Sequence, residues 1–250
     1  MTPTQIDYGT RARIGVLVPS GNSVAEPELR AMMPHGVGLL VTRLPLTGSS
    51  ETQLLAMLET LETGTRLLAD AQPDAIAFHC TAVSTFAPHM AGEIRTRMGQ
   101  AAAIPALATA DAILAALEAL RARRILLVTP YIAKVHEREA AWLTAMGFTV
   151  VGGGCMGVSG NNDMARIPPE TIADRVRAEA RGVQADVCFV SCTAIRSAGL
   201  IGSLEAELGI PVITSNQVLA WYAPRRLGIA DSPPGFGRLF DLPFAMKAAA

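Results

Sequence analysis

The sequence predicts an α/β protein of two pseudo-symmetric, flavodoxin-like halves, each an open parallel sheet flanked by helices, with a cleft between them. Three observations carry this reading. Apolar runs of strand length alternate with segments of helical periodicity along the chain. Phe78-His79-Cys80-Thr81-Ala82 and Val190-Ser191-Cys192-Thr193-Ala194 each follow a short apolar run that opens with an aspartate, Asp74 or Asp186. The spacing also repeats: Cys80 and Cys192 are 112 positions apart, Arg13-Ile14 and Arg124-Ile125 are 111 apart, and Ile104-Pro105 and Ile210-Pro211 are 106 apart. A duplicated unit that presents two thiols to one cleft accounts for all three.

Residues 14–18 form a short apolar run that stops at the turn cluster Pro19-Ser20-Gly21-Asn22, as a buried parallel strand followed by a loop would. Residues 39–42 read as a second strand, and leucines at helical spacing over 51–70 as an amphipathic helix. The strand over 74–78 delivers Cys80; a helix over 84–100, a strand over 104–107 and a helix over 110–122 follow. The pattern then restarts. A strand over 125–128 ends at Pro130-Tyr131, 133–146 is a helix, 148–151 a strand, and 168–182 a helix. The strand over 187–190 delivers Cys192, a helix covers 197–208, and 210–213 closes the unit. This divides the chain into a first half of 1–110 plus 216–250, with the C-terminal segment packed back onto it, and a second half of 111–215.

Composition bounds the function. Of 250 residues half are hydrophobic and 17% charged, with a formal net charge of −1, so no basic field is available to hold nucleic acid. Mean hydropathy is +0.32, yet the apolar runs fall short of the ~18 residues a membrane span needs. The polar N-terminal stretch resembles no secretion signal, which places the protein in the cytoplasm. Four cysteines are too few for a disulfide scaffold, and there is no CxxC or HExxH, which argues against a metal site. Gly152 to Gly157 matches G-x-G-x-x-G after a strand, but no helix opens there and Pro168-Pro169 follow, so no dinucleotide site is expected. No cofactor is expected.

In open α/β sheets ligands bind beyond the carboxyl ends of the strands. Pro19 to Asn22, Cys80-Thr81, Pro130-Tyr131 and Cys192-Thr193 all fall there. Cys80 and Cys192 sit at strand-to-helix junctions, where the amides of Thr81, Ala82 and Val83, or of Thr193, Ala194 and Ile195, point into the cleft. Such a place lowers a thiol pKa and binds carboxylates. One buried cysteine alone reads as a small hydrophobe; its recurrence at the matching place reads as chemistry. Cys155, in a glycine loop, and Cys188, inside a strand, read as structural. Asn22 in the first turn and Asn161-Asn162 in the loop after the second half's second strand either orient a carboxylate or serve the turns they sit in. Tyr131 offers a phenol at the place that matches Ser20. Arg43 and Arg196 either pair with an acidic substrate or are solvated. His79, next to Cys80, points the other way and reads as a packed histidine.

These residues resemble the aspartate/glutamate racemase superfamily, and within it the branch of maleate cis-trans isomerases and arylmalonate decarboxylases. The resemblance runs from Ile14 to Phe240. Maleate isomerases are similar in Val-Pro-Ser-x-Asn (Val18 to Asn22), a first Cys-Thr (Cys80-Thr81), Ser-Cys-Thr-x-x-Arg (Ser191 to Arg196), a tyrosine matching Tyr131 and an asparagine matching Asn161. Arylmalonate decarboxylases usually carry glycine at the first cysteine, so Cys80 argues against that activity. Gly21 stands where serine is commoner, and Ala82-Val83 replaces a small polar pair. The resemblance implies two halves around one site and a small cis-unsaturated dicarboxylate as substrate. The Cys80 thiolate adds to the alkene, and Ser20, Asn22, Thr81, Ala82, Tyr131, Asn161, Thr193 and Ala194 surround the substrate. The single bond so made rotates before Cys80 leaves, while Cys192 donates and retrieves a proton or shields the intermediate. It further implies a homodimer or larger assembly. The alternatives are a racemase or decarboxylase with two cysteine bases, a small-acid binding protein, and a redox switch that joins Cys80 to Cys192.

Overall fold

The computed structural model describes residues 7–244. The first sheet holds β1 (Ala12–Pro19), β2 (Val37–Leu44), β3 (Ala75–Phe78) and β4 (Ala106–Ala108). The second holds β5 (Arg124–Thr129), β6 (Thr149–Cys155), β7 (Val187–Val190) and β8 (Val212–Thr214). Strand order is β2-β1-β3-β4 in one and β6-β5-β7-β8 in the other, with every pairing parallel. The duplication read from the spacing is therefore a duplication of topology.

Strand alternation explains the core. In β1, Ile14, Val16 and Val18 enter one buried cluster and Leu17 the other. In β5, Ile125 and Leu127 enter the first, and Leu126 and Val128 the second. Both clusters draw on both sheets, so the hydrophobic interior runs through the whole molecule. The helix Ser215–Arg226 is buried at every position from Ser215 to Arg225, as a helix enclosed on all sides must be. It packs on β1 and on the helices Ala25–Met32 and Thr109–Ala119. Among the described residues no helix is long and apolar enough to cross a membrane.

Four expected elements differ. The helix over 51–70 is two helices, Glu51–Ala56 and Leu61–Ala69, joined by a 3-10 turn at Met57–Thr60. The helix over 84–100 is a single turn, Thr81–Ser84, and a helix Met90–Ala101; Pro88 between them lacks the amide that continuity needs. β6 runs on through Gly152-Gly153-Gly154 to Cys155, with a register shift opposite Ile125/Leu126. Gly153 sits at φ +126, where a Cβ would lie 1.8 Å from the Leu127 carbonyl oxygen, so only glycine passes. Asn161 opens a short helix, Asn161–Arg166, where a loop was expected.

Candidate active site

Cys80 leaves β3 in an extended conformation and precedes the turn Thr81–Ser84. The amides of Val83 and Ala82 donate to its sulfur. Cys192 leaves β7 at φ +144, a region L-residues seldom enter. Three groups hold it. Its amide donates to Ser215 Oγ (3.0 Å), the Ala194 amide donates to Sγ (3.2 Å), and the Tyr131 phenol is hydrogen-bonded to the same sulfur. Thr81 Oγ1 donates to Ser215 Oγ at 2.8 Å, so one hydroxyl joins the two thiol turns.

Asn22 also joins the halves. Its Oδ1 accepts from the amides of Val24 and Ala25 (2.9 Å each) at the start of the helix Ala25–Met32, and its Nδ2 donates to Thr193 Oγ1 at 3.0 Å. The loops after β2 and β6 are latched together. The Asn161 amide donates to the Thr47 carbonyl (3.0 Å) and its Nδ2 to the Leu46 carbonyl (3.2 Å), beside an antiparallel bridge between Gly48 and Gly160. The Gly21 amide donates to the same Leu46 carbonyl. A Cβ on Gly21 would lie 3.2 Å from both Leu46 O and Asn161 Cβ, so the missing side chain lets the latch seat closely.

Cys80, Cys192, Tyr131, Asn22, Thr81, Thr193, Asn161, Ala82 and Ala194 are thus gathered in one buried cluster, Cys80 at 5% exposure and Cys192 at 3%. Ser20 is not among them: it is exposed, and its hydroxyl accepts from the Leu46 amide at 3.0 Å. Arg43 donates to the Asn22 carbonyl at 2.6 Å and braces the turn, while Arg196 is exposed. Among the described residues no group of three or more His, Cys, Asp or Glu is placed to hold a metal ion.

The expected lowering of the thiol pKa values does not hold in this closed arrangement. Burial pushes Cys80 up to about 12, against the pull of the Val83 and Ala82 amides. Burial likewise raises Cys192 to about 12, against Tyr131 and the Ala194 amide. Both thiols are protonated at neutral pH in these surroundings.

His79 is the packed histidine expected. Burial lowers its pKa to about 4, so the ring is neutral. Its Nε2 lies 2.8 Å from Asn216 Oδ1, and its Nδ1 lies 2.9 Å from Thr109 Oγ1. Asn216 Nδ2 donates in turn to Glu28 Oε2 at 2.7 Å, which fixes Oδ1 as the acceptor and Nε2 as the protonated nitrogen. Glu28 Oε1 accepts from the amides of Ser197 and Ala198 in the other half. Sequence reasoning missed Ser215, Asn216, Glu28 and Glu139. Spacing held part of the signal: Glu28 and Glu139 are 111 apart, like the arginines that open β1 and β5, and Ser215 stands 106 after Thr109.

The profile of the family described as arylmalonate decarboxylase matches residues 14–240. The chain belongs to that family. A maleate isomerase of Nocardia farcinica is 32% identical over 251 residues, covering 95% of this chain and 98% of that one. An arylmalonate decarboxylase of Bordetella bronchiseptica is 36% identical over 146 residues, covering 58% of this chain and 61% of that one. The structure of a cysteine-to-serine mutant of the Nocardia farcinica maleate cis-trans isomerase, with a covalently bound succinylcysteine intermediate, superposes with a TM-score of 0.86 at 29% identity. It covers 92% of this chain and 98% of that one.

Proposed function

We propose that this chain isomerises maleate, or a closely related cis-unsaturated dicarboxylate, to the trans acid by covalent addition of a cysteine thiolate. The observation that carries the reading is the presence of Cys80 as well as Cys192, at equivalent turns joined by the Ser215 hydroxyl. The likeness over the whole chain to an isomerase with a succinylcysteine intermediate supports it.

Burial keeps the thiols protonated, so Cys80 gives up its proton to water before it adds, and the amides of Val83 and Ala82 stabilise the sulfur anion so formed. The sulfur then bonds to one alkene carbon, and the alkene electron pair moves onto the other carbon and its carboxylate. Amides near Cys80, with Asn22, Tyr131 and Asn161, hold the carboxylates and their charge. Cys192 supplies a proton to the second carbon and takes it back. Rotation about the new single bond followed by departure of Cys80 yields the trans acid, with no net gain or loss of atoms or electrons. The division into 1–110 with 216–250 and 111–215 belongs to this reading; the helix Ser215–Arg226 packs on Ala25–Met32 and β1 of the first part and on Thr109–Ala119, which opens the second. Work in the reducing cytoplasm also belongs to this reading, supported by four free cysteines. Assembly of two or more copies is part of the same proposal.

The test is proton NMR of maleate with the purified protein and its Cys80→Ala and Cys192→Ala variants. Fumarate that forms only while Cys80 is present is the expected result. Unchanged maleate under reducing conditions overturns the proposal. The same tubes with arylmalonates in deuterated water would then report a decarboxylase.

A further inference from the structure

Glu139 lies in the middle of the helix Ala133–Ala145 and is 1% exposed. Its Oε1 accepts from the Ser191 hydroxyl at 2.6 Å, while its Oε2 is buried with no hydrogen-bond partner. Its counterpart Glu28 uses both oxygens, on Ser197, Ala198 and Asn216. Two equivalent places therefore hold one fully bonded carboxyl and one half-bonded carboxyl. A buried anion with an unpaired oxygen is far costlier than the neutral acid, so these surroundings favour the protonated form.

What Glu139 holds is the turn of a reacting thiol. Ser191 directly precedes Cys192, and its amide donates to the Val128 carbonyl at 2.9 Å, at the end of β5. The Glu139–Ser191 bond thus braces the point from which Cys192 departs at φ +144. Burial is the main obstacle to ionisation of Cys192 beyond Ser191, of Tyr131 past the end of β5 and of Cys80 from the first half, and a negative Glu139 adds to it at all three. Its neighbour Arg138 is the one cation that favours the charged form. Arg138 is turned elsewhere, with its guanidinium 4.0 Å over the Phe86 ring and Nη2 buried without a partner.

We propose that Glu139 is a positioning residue that serves the site as a neutral acid: protonated, it braces Ser191 and the Cys192 turn, and ionised, it suppresses the thiolate at Cys80. Burial raises its pKa to about 7, which brings the change into the working range. The consequence for turnover rests on the isomerase reading; the consequence for thiol reactivity does not.

The experiment follows iodoacetamide modification of Cys80, by peptide mass spectrometry, against pH in the wild type, Glu139→Gln and Ser191→Ala, beside the pH profile of maleate turnover. In Glu139→Gln the modification rate should rise steadily with pH. In the wild type it should lag above neutrality, about three- to tenfold slower than Glu139→Gln at about pH 8.5. Ser191→Ala keeps the acid but removes the bond that favours its charged form, so the lag should remain and set in at higher pH. Difference infrared spectra of the wild type should show a protonated carboxyl band lost on alkalisation and missing in Glu139→Gln. Superimposed profiles for wild type and Glu139→Gln, or no such band, overturn the proposal. Profiles that differ while maleate stays unchanged would leave Glu139's role standing and remove the isomerase.

Discussion

Replacing Glu139 by glutamine should stabilise the fold at alkaline pH and leave it unchanged in acid. The carboxyl moves from an ordinary 4.5 to about 7 on folding, because burial outweighs the Ser191 bond and the attraction of Arg138. Between those values the native state binds a proton that the unfolded chain releases. The stability this confers is complete below pH 4.5 and lost as pH rises through 7. A shift of that size corresponds to about 3 kcal/mol. Glutamine keeps the acceptor for Ser191 and cannot ionise, so the variant should match the wild type in acid and exceed it by about 3 kcal/mol in base. His79 adds an opposite slope. Its pKa falls from 6.5 to about 4, so its contribution is complete above 6.5 and lost as pH falls through 4. Over the shared interval the two slopes oppose; Glu139→Gln should remove one of them and tilt the profile toward the histidine's direction, which His136 reinforces and Glu28 opposes. Urea unfolding at a series of pH values, with the denaturant slope held common, reads this directly. A difference between variant and wild type that does not change with pH would refute the reasoning.

Two further expectations concern the site. Asn22→Ala removes the helix cap on Val24 and Ala25 and the bond to Thr193, which should cost about 2–3 kcal/mol in urea unfolding and raise KM for maleate. A variant within about 0.5 kcal/mol of the wild type would show that Asn22 holds nothing. Cys192→Ser should accumulate a covalent adduct on Cys80, seen by intact mass as the addition of one dicarboxylic acid, whereas Cys80→Ser should show none. An adduct on Cys80→Ser would reverse the roles of the two cysteines.

Much of this centre could be read from the chain because strand ends are legible. Buried parallel strands are short apolar runs, and the residues at which they stop mark their carboxyl ends. That put Cys80, Tyr131 and Cys192 beyond strand ends, and the fold brings the three into one buried cluster. Matching by position carried less: Ser20 occupies the place of Tyr131 in the repeat, yet its hydroxyl is held by Leu46 on the surface. The thiol pKa values depend on how deeply the finished fold buries each sulfur, which no local pattern encodes. Pro88 was in plain view, but helical periodicity on either side outweighed it. Ser215 is one hydroxyl at the start of a buried helix, and its use follows only from two turns meeting there. Glu28 and Glu139 look like ordinary outward charges of amphipathic helices until the repeat pairs them.

The backbone at Cys192 has a consequence for how this sequence can change. Gln72 and Arg121, at φ 49 and 54, occupy the usual left-handed region, whereas Cys192 at φ 144 sits where glycine alone is at ease. Holding an L-residue there costs on the order of 1–3 kcal/mol. Mutation to glycine would delete the thiol and relieve the strain in one step. Cysteine at this position is therefore kept against the grain of stability, and a lineage no longer selected for the second thiol would be drawn toward glycine. Conservation here would report the chemistry, because the fold itself prefers something else.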